Sequence, residues 1–178
     1  MTKEEKALLD MLAYCEGTLG VSNNGYDVVV GSKRIIAGWT KDTTIIHGGR
    51  DWYDSATEST AAGRYQFLYT TWIGGTKDKP GPNLPMTKDN QDKRGLELIN
   101  GRLGNIDKTK LTDKSVFDKA LNKMCTTWAS IPVTSDITDS QGNVHKAGKS
   151  YFAGDGINKS RLTSDKLFQI YKLALSKY

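Results

Sequence analysis

Cysteine and histidine are scarce in this chain, with two of each among 178 residues. Two cysteines, Cys15 and Cys125, are too few for a disulfide framework or a zinc cluster. Neither His47 nor His145 stands near a cysteine or an acidic pair at metal-ligand spacing, so we predict no metal site and no cofactor. We expect two buried thiols, and a disulfide formed after release from the cell stays an alternative.

Long hydrophobic runs are also missing. No apolar stretch approaches the length of a membrane-spanning helix, so we expect no stable membrane insertion. The first residues, Met1-Thr2-Lys3-Glu4-Glu5-Lys6, have none of the basic start, apolar run and small-residue cleavage site of a signal peptide. We therefore expect the protein to be made in the cytoplasm, and any export must depend on another factor.

The charge balance favours an anionic partner. The 25 basic and 20 acidic residues give a net charge of +5 and a pI of about 9.1, which suits nucleic acid, a lipid surface or a cell-wall polymer. The lysines are scattered, however, and no run of like charge marks a nucleic-acid arm. We predict no nucleic-acid partner, and a nucleic-acid binder is kept only as an alternative prompted by the pI.

Hydrophobic periodicity predicts a mostly helical body. A capping box of Thr2 and Glu5 starts the first helix at Lys3. Further helices are expected over 60–72, 87–100, from Thr112 or Ser115 to Pro132, and from Ser164 onward.

Residues 20–59 differ from the rest because turn residues and β-formers dominate them. Tyr26–Val30 and Lys33–Ala37 predict a strand pair, and Thr44–Ile46 predicts one more short strand. The sequence therefore predicts one α+β domain over residues 1–178, with a helical body, a small antiparallel β wing and a cleft between them.

Glu16 is the best candidate for chemistry. It follows an apolar helical stripe formed by Leu8, Leu9, Met11, Leu12 and Cys15, and Gly17 ends that helix. The helix dipole and burial beside the core both disfavour ionisation, so the acid is expected to hold its proton nearer to neutral pH. Such a carboxylic acid is a candidate general acid, and a solvated glutamate at a helix end is the alternative.

Two other stretches could contact a sugar. In Ser59–Phe67, small residues leave the backbone accessible, and Tyr65 and Gln66 offer apolar faces with polar tips. Tyr151–Gly156 is an aromatic-glycine loop that could line the same cleft. A helix start packed on a neighbouring element explains the first stretch equally well.

No second carboxylate stands out as a nucleophile. Asp27, Asp42, Asp51 and Glu58 lie in or near the β wing, and we expect them to be exposed loop acids. A cysteine nucleophile is the rival chemistry, but Cys15 stands at a helix C-terminus, where the dipole raises the thiol pKa.

Four blocks of the sequence resemble the lambda-type phage endolysins, in the same order and at similar separations. The blocks are Met11–Thr18, Gly25–Gly31, Ser59–Phe67 and Cys125–Pro132. The β wing over 33–58 is longer and different, and in 133–160 only the aromatic-glycine loop is similar.

The resemblance implies a lysozyme-like fold and cleavage of the β-1,4 bond between N-acetylmuramic acid and N-acetylglucosamine in peptidoglycan. It implies that Glu16 is the acid/base, and that the products are 1,6-anhydro sugars made by transglycosylation. It also implies sugar contacts in the Thr60–Gln66 block. The residues that we predict to bind substrate are Thr60, Ala62, Tyr65, Gln66, Trp128 and Tyr151.

Such proteins lyse the host at the end of infection. The resemblance implies a monomer that stays in the host cytoplasm until a holin pore releases it to the peptidoglycan. Two alternatives remain open: a hydrolytic muramidase with the same site, and a virion-associated structural protein that binds or degrades the wall.

Overall fold

The computed structural model describes residues 1–31, 34–75, 79–155 and 160–178. The chain packs as two compact units: one combines Met1–Cys15 with Leu98–Tyr178, and the other is Glu16–Glu97. The helices are α1 (Lys3–Cys15), α2 (Tyr69–Ile73), α3 (Lys88–Leu103), α4 (Lys114–Met124) and α5 (Ser164–Leu175), and the strands are β1 (Val28–Val29), β2 (Arg34–Ile35), β3 (Ile137–Thr138) and β4 (Val144–His145).

The first unit is built on α1 and α5, which pack against each other. The predicted capping box is confirmed: Thr2 N–H donates to Glu5 Oε2 at 3.0 Å, and Glu5 N–H donates to Thr2 Oγ1 at 3.3 Å. Leu8, Leu9, Met11 and Leu12 of the apolar stripe of α1 are buried as expected, whereas Cys15 at the end of the helix is only half-buried, contrary to the expected buried thiol. The face of α5 that carries Leu167, Tyr171 and Ala174 is also buried.

The ends of the later helices differ from the predictions by a few residues. Asp113, rather than Thr112 or Ser115, caps α4 by accepting hydrogen bonds from the backbone N–H groups of Ser115 and Val116. The helix ends at Met124, well before Pro132. Strands β3 and β4 form an antiparallel hairpin around the turn at residues 140–143.

The second unit contains the predicted strand pair, in shorter form. Val28 pairs with Ile35 and Val29 pairs with Arg34 in antiparallel register; Lys33 of the predicted second strand lies outside the described residues. The predicted strand at Thr44–Ile46 is reduced to a single bridge between Ile46 and Pro85.

The helix predicted over 60–72 is wrong. Ala62 makes antiparallel bridges to Val29 and to Phe67, so the segment turns back on itself instead of coiling. Gly63 has φ +76° and Gln66 has φ +48°, and these left-handed conformations break a right-handed helix. Only the short α2 follows.

Among the described helices, none combines the length and the apolar character needed to cross a bilayer. The architecture of helices with small antiparallel strand pairs is α+β, as predicted.

Candidate active site

Glu16 directly follows the last residue of α1 and is the first residue of the second unit. Its side chain is half-buried. The last turn of α1 has no basic residue to offset the negative end of the helix dipole. Gly17 has φ +69° and ends the helix, as predicted.

The chain immediately after Glu16 is fixed by contacts of Thr18. This side chain is 2% exposed, and its hydroxyl donates to the carbonyl oxygen of Arg64 at 2.5 Å. On its other side lies Gly25, with φ +87°, where an added Cβ would stand 2.6 Å from the Cβ of Thr18. Close backbone approach therefore requires glycine there.

Hydrogen bonds fix both the backbone and the guanidinium group of Arg64. Its guanidinium donates to the carbonyl oxygen of Asn24 at 2.5 Å and lies 5.2 Å from the centre of the Tyr26 ring. Its backbone N–H donates to Oε1 of Gln91 at 2.8 Å. The same Gln91 amide donates to the carbonyl oxygens of Tyr26 (2.9 Å) and Met86 (2.8 Å).

The carboxylate of Asp92 accepts hydrogen bonds from three side chains of the second unit. Its Oδ1 accepts from the hydroxyls of Tyr26 at 2.8 Å and Tyr65 at 2.6 Å, and its Oδ2 accepts from Lys88 Nζ at 2.9 Å. Burial, followed by the Asp92 charge, raises the pKa of both tyrosines. Both phenols therefore stay protonated and act as donors that fix the second unit.

The predicted sugar contacts in the segment 60–66 differ in how deeply their side chains are buried. Ala62 is 0% exposed and Tyr65 is 1% exposed. Both side chains therefore pack inside the fold, and sugar contacts by these two residues stay predictions. Thr60 and Gln66 are half-buried. The Thr60 hydroxyl accepts from Tyr69 N–H at 3.0 Å, and Gln66 Nε2 donates to Gly63 O at 2.9 Å. Their sugar contacts stay predictions.

The other two predicted contacts belong to the first unit. Trp128 is 4% exposed, and its sugar contact stays a prediction. Tyr151 is half-buried and stacks on the imidazole of His145 with ring centres 3.8 Å apart. A sugar contact by Tyr151 stays a prediction, and Gly156 of its loop lies outside the described residues.

The acidic candidates of the β wing fall into two groups. Asp27 is 1% exposed, and its Oδ2 accepts from Ser22 Oγ and Asn23 Nδ2, each at 2.7 Å. This carboxylate therefore closes a turn, contrary to the expected exposed acid. Asp42, Asp51 and Glu58 are exposed, as predicted.

The thiols and histidines offer no rival centre in the part of the chain that the structure describes. Cys15 is half-buried, Cys125 is buried, and no disulfide joins them. Burial raises the pKa of the Cys125 thiol to about 11, which keeps it unreactive at neutral pH. No group of three or more metal-ligating side chains occurs among these residues.

The burial of His47 could not be predicted from its sequence neighbours. It is 1% exposed, with Nε2 at 3.0 Å from Phe67 O and Nδ1 accepting from Gly49 N–H at 3.1 Å. This pattern fits the neutral ring with its proton on Nε2. Burial lowers the pKa of His47 accordingly.

Comparisons with known proteins agree with this fold. A family model described as Endolysin matches residues 6–174. The endolysin of Escherichia phage P2 is 33% identical over 136 residues, which cover 71% of this chain and 78% of that protein. The endolysin of Escherichia phage lambda is 29% identical over 141 residues, covering 74% and 79%. The structure of bacteriophage lambda lysozyme complexed with a chitohexasaccharide matches with a TM-score of 0.61 and 25% identity, covering 98% of this chain and 95% of that one.

The fold is thus that of a lysozyme-like α+β protein. The family match extends over nearly the whole chain, and the chain belongs to the endolysin family. It is a phage enzyme that degrades peptidoglycan in host-cell lysis.

Proposed function

We propose that the enzyme cleaves the β-1,4 bond between N-acetylmuramic acid and N-acetylglucosamine, with Glu16 as its general acid/base. The observation that carries the proposal is the placement of a half-buried carboxyl group at the dipole-negative end of α1. The negative end of a helix dipole opposes ionisation of a neighbouring carboxyl group. A chitohexasaccharide in the lambda lysozyme structure supports a glycan substrate.

The proposed reaction needs one carboxyl group. Glu16 gives its proton to the glycosidic oxygen as the bond to C1 of muramic acid breaks. The resulting carboxylate then takes the proton of the muramic acid C6 hydroxyl, whose oxygen bonds to C1. The products are a 1,6-anhydro sugar and a free 4-hydroxyl, and no water is consumed.

We favour this transglycosylation over hydrolysis. A retaining hydrolase uses a second carboxylate as nucleophile, and an inverting one uses it to activate water. Asp27, the wing carboxylate nearest to Glu16 in sequence, is 1% exposed and engaged in a turn. In the hydrolytic alternative Glu16 acts as the acid and water supplies the attacking oxygen.

The test is Glu16→Gln, which keeps the size of the side chain and removes its proton chemistry. We expect release of soluble muropeptides from purified peptidoglycan to fall by about 10²–10⁴-fold, the usual contribution of a general acid/base. The control is Glu58→Gln, an exposed acid of the same unit, which should retain wild-type activity. Near-wild-type activity of Glu16→Gln would exclude the assignment.

Mass spectrometry of the wild-type products separates the two reactions. Transglycosylation gives muramic acid ends one water lighter than the reducing ends of hydrolysis. Reducing ends alone would establish the hydrolytic alternative and leave the role of Glu16 intact.

The route to the substrate is part of the proposal. We propose that the monomeric enzyme waits in the host cytoplasm and reaches the wall through a holin pore; the family membership supports this. Expression in a bacterial host should produce lysis only when a holin is expressed with it. Lysis without a holin would contradict this route.

A further inference from the structure

A second feature of the first unit is a cavity beside the β3–β4 hairpin. The end of the β3–β4 hairpin, Asn143–Lys146, and the segment Lys149–Gly154 surround an open cavity of about 600 Å³. We call this the hairpin surface. All of its residues lie within the first unit.

Exposed apolar side chains form part of its wall. Val144 is 56% exposed and Phe152 is 36% exposed. The Phe152 ring meets the Tyr151 ring edge-on at 5.3 Å, and Tyr151 stacks on His145. Apolar groups that line a cavity while open to solvent are typical of binding sites.

The hairpin is held rigidly by Asp139. Its Oδ1 accepts from the backbone N–H groups of Gln141 and Asn143, both at 2.9 Å. Its Oδ2 accepts from Asn143 Nδ2 at 3.0 Å and lies 3.1 Å from His145 Nε2. The Asn143 hydrogen bonds, with smaller contributions from His145 and Gln141, hold the pKa of Asp139 well below its usual range. The cavity wall is therefore preorganised around a fixed carboxylate.

His145 faces an acceptor at each ring nitrogen. Besides Asp139 at Nε2, the carbonyl oxygen of Tyr151 lies 2.8 Å from Nδ1. These two contacts tie the hairpin to the following segment.

Two lysines add positive charge to the hairpin surface. Lys146 Nζ pairs with Asp136 at 2.7 Å. Lys149 is exposed, and its ammonium makes no hydrogen bond or ion pair to another described residue. Because Lys146 is paired with Asp136, Lys149 is the cation of this surface that is available to a ligand.

We propose that the hairpin surface binds the stem peptide of peptidoglycan, with Lys149 pairing with a peptide carboxylate and Val144 and Phe152 contacting its alanine methyl groups. The proposal rests on the proposed function, because it names a second part of the same polymer. A neutral N-acetyl sugar could occupy the aromatic wall but would leave the Lys149 charge without a counterpart. The stem peptide supplies both apolar groups and carboxylates.

The direct test is titration of the full chain with the tetrapeptide L-Ala-γ-D-Glu-meso-diaminopimelate-D-Ala, followed by backbone amide NMR shifts. We expect shifts confined to the hairpin surface. Lys149→Gln should weaken binding by about three- to fivefold, the value of one exposed ion pair. Added salt should weaken wild-type binding and have less effect on the variant.

The matched control is Lys123→Gln, which removes the same charge from an exposed lysine of α4. It should bind the tetrapeptide as the wild type does. Equal weakening by both substitutions, or no shift at the hairpin surface, would overturn the proposal. A shift there with chitohexaose but none with the tetrapeptide would overturn it in favour of a sugar subsite.

Cleavage assays keep this proposal separate from the proposed function. The wild type should cleave intact peptidoglycan with a higher kcat/KM than glycan strands stripped of peptide, and Lys149→Gln should reduce that preference. Equal kcat/KM on both substrates would overturn the peptide site and leave glycan cleavage standing. Tetrapeptide binding by an enzyme that cleaves neither substrate would overturn the proposed function alone.

Discussion

Gln91→Leu gives the sharpest test of the buried hydrogen bonds in the second unit. Gln91 is 0% exposed and makes three hydrogen bonds of 2.8–2.9 Å, to the Arg64 N–H and to the carbonyl oxygens of Tyr26 and Met86. Leucine keeps a similar volume and removes all three bonds. At about 1 kcal/mol each, the free energy of unfolding should fall by about 3 kcal/mol. Backbone groups left buried without partners would increase the loss.

Urea unfolding followed by tryptophan fluorescence measures this change, and calorimetry should show a Tm lower by about 6–12 °C, given about 2–4 °C per kcal/mol for a chain of this size. The matched control is Gln169→Leu on the exposed face of α5, which should change stability by less than about 0.5 kcal/mol. A loss below about 1 kcal/mol for Gln91→Leu would refute the reasoning, because the three bonds would then contribute little.

Gly25→Ala should displace Thr18 and reduce activity, whereas Gly20→Ala, with a similar φ of +77° but nothing within 4 Å, should retain activity and lose only stability; equal activities on peptidoglycan would contradict this. Asp113→Ala should lower the free energy of unfolding by about 1 kcal/mol, the usual value of a lost N-cap, as measured in urea. The pKa of His47 is lowered from 6.5 by burial. As the pH falls, His47 is therefore protonated in the unfolded chain before it is protonated in the folded chain. The free energy of unfolding should decrease below pH 6.5 by up to about 1.4 kcal/mol per pH unit. His47→Gln should lack this part of the slope between pH 7.5 and 5, and an unchanged slope would exclude His47 as its source.

Local signals explain what could be predicted from the sequence. The Thr2–Glu5 capping box and Gly17 mark both ends of α1 within the segment itself, so the placement of Glu16 after a buried helix follows from neighbouring residues. The buried face of α5 follows from periodicity in the same way. Such features need no knowledge of distant parts of the chain.

Long-range contacts explain what could not be predicted. The 60–72 segment has helical composition, but Gly63 lies against the Gln91 side chain, where an added Cβ would stand 2.3 Å from Oε1. Gln91 itself lies in a polar stretch that gives no sign of burial. The burial of Tyr65 depends on a hydrogen bond to Asp92, 27 residues away, which the residues around Tyr65 do not indicate.

The division of the chain into units has a consequence for synthesis on the ribosome. The second unit, Glu16–Glu97, is continuous in sequence, so all of it has been translated well before synthesis ends. The apolar stripe of α1 is covered by α5, which is translated last. The first helix, whose last residue precedes Glu16, therefore gains this packing partner only when translation is almost finished. A chain truncated before α5 should leave that stripe exposed to chaperones and proteases.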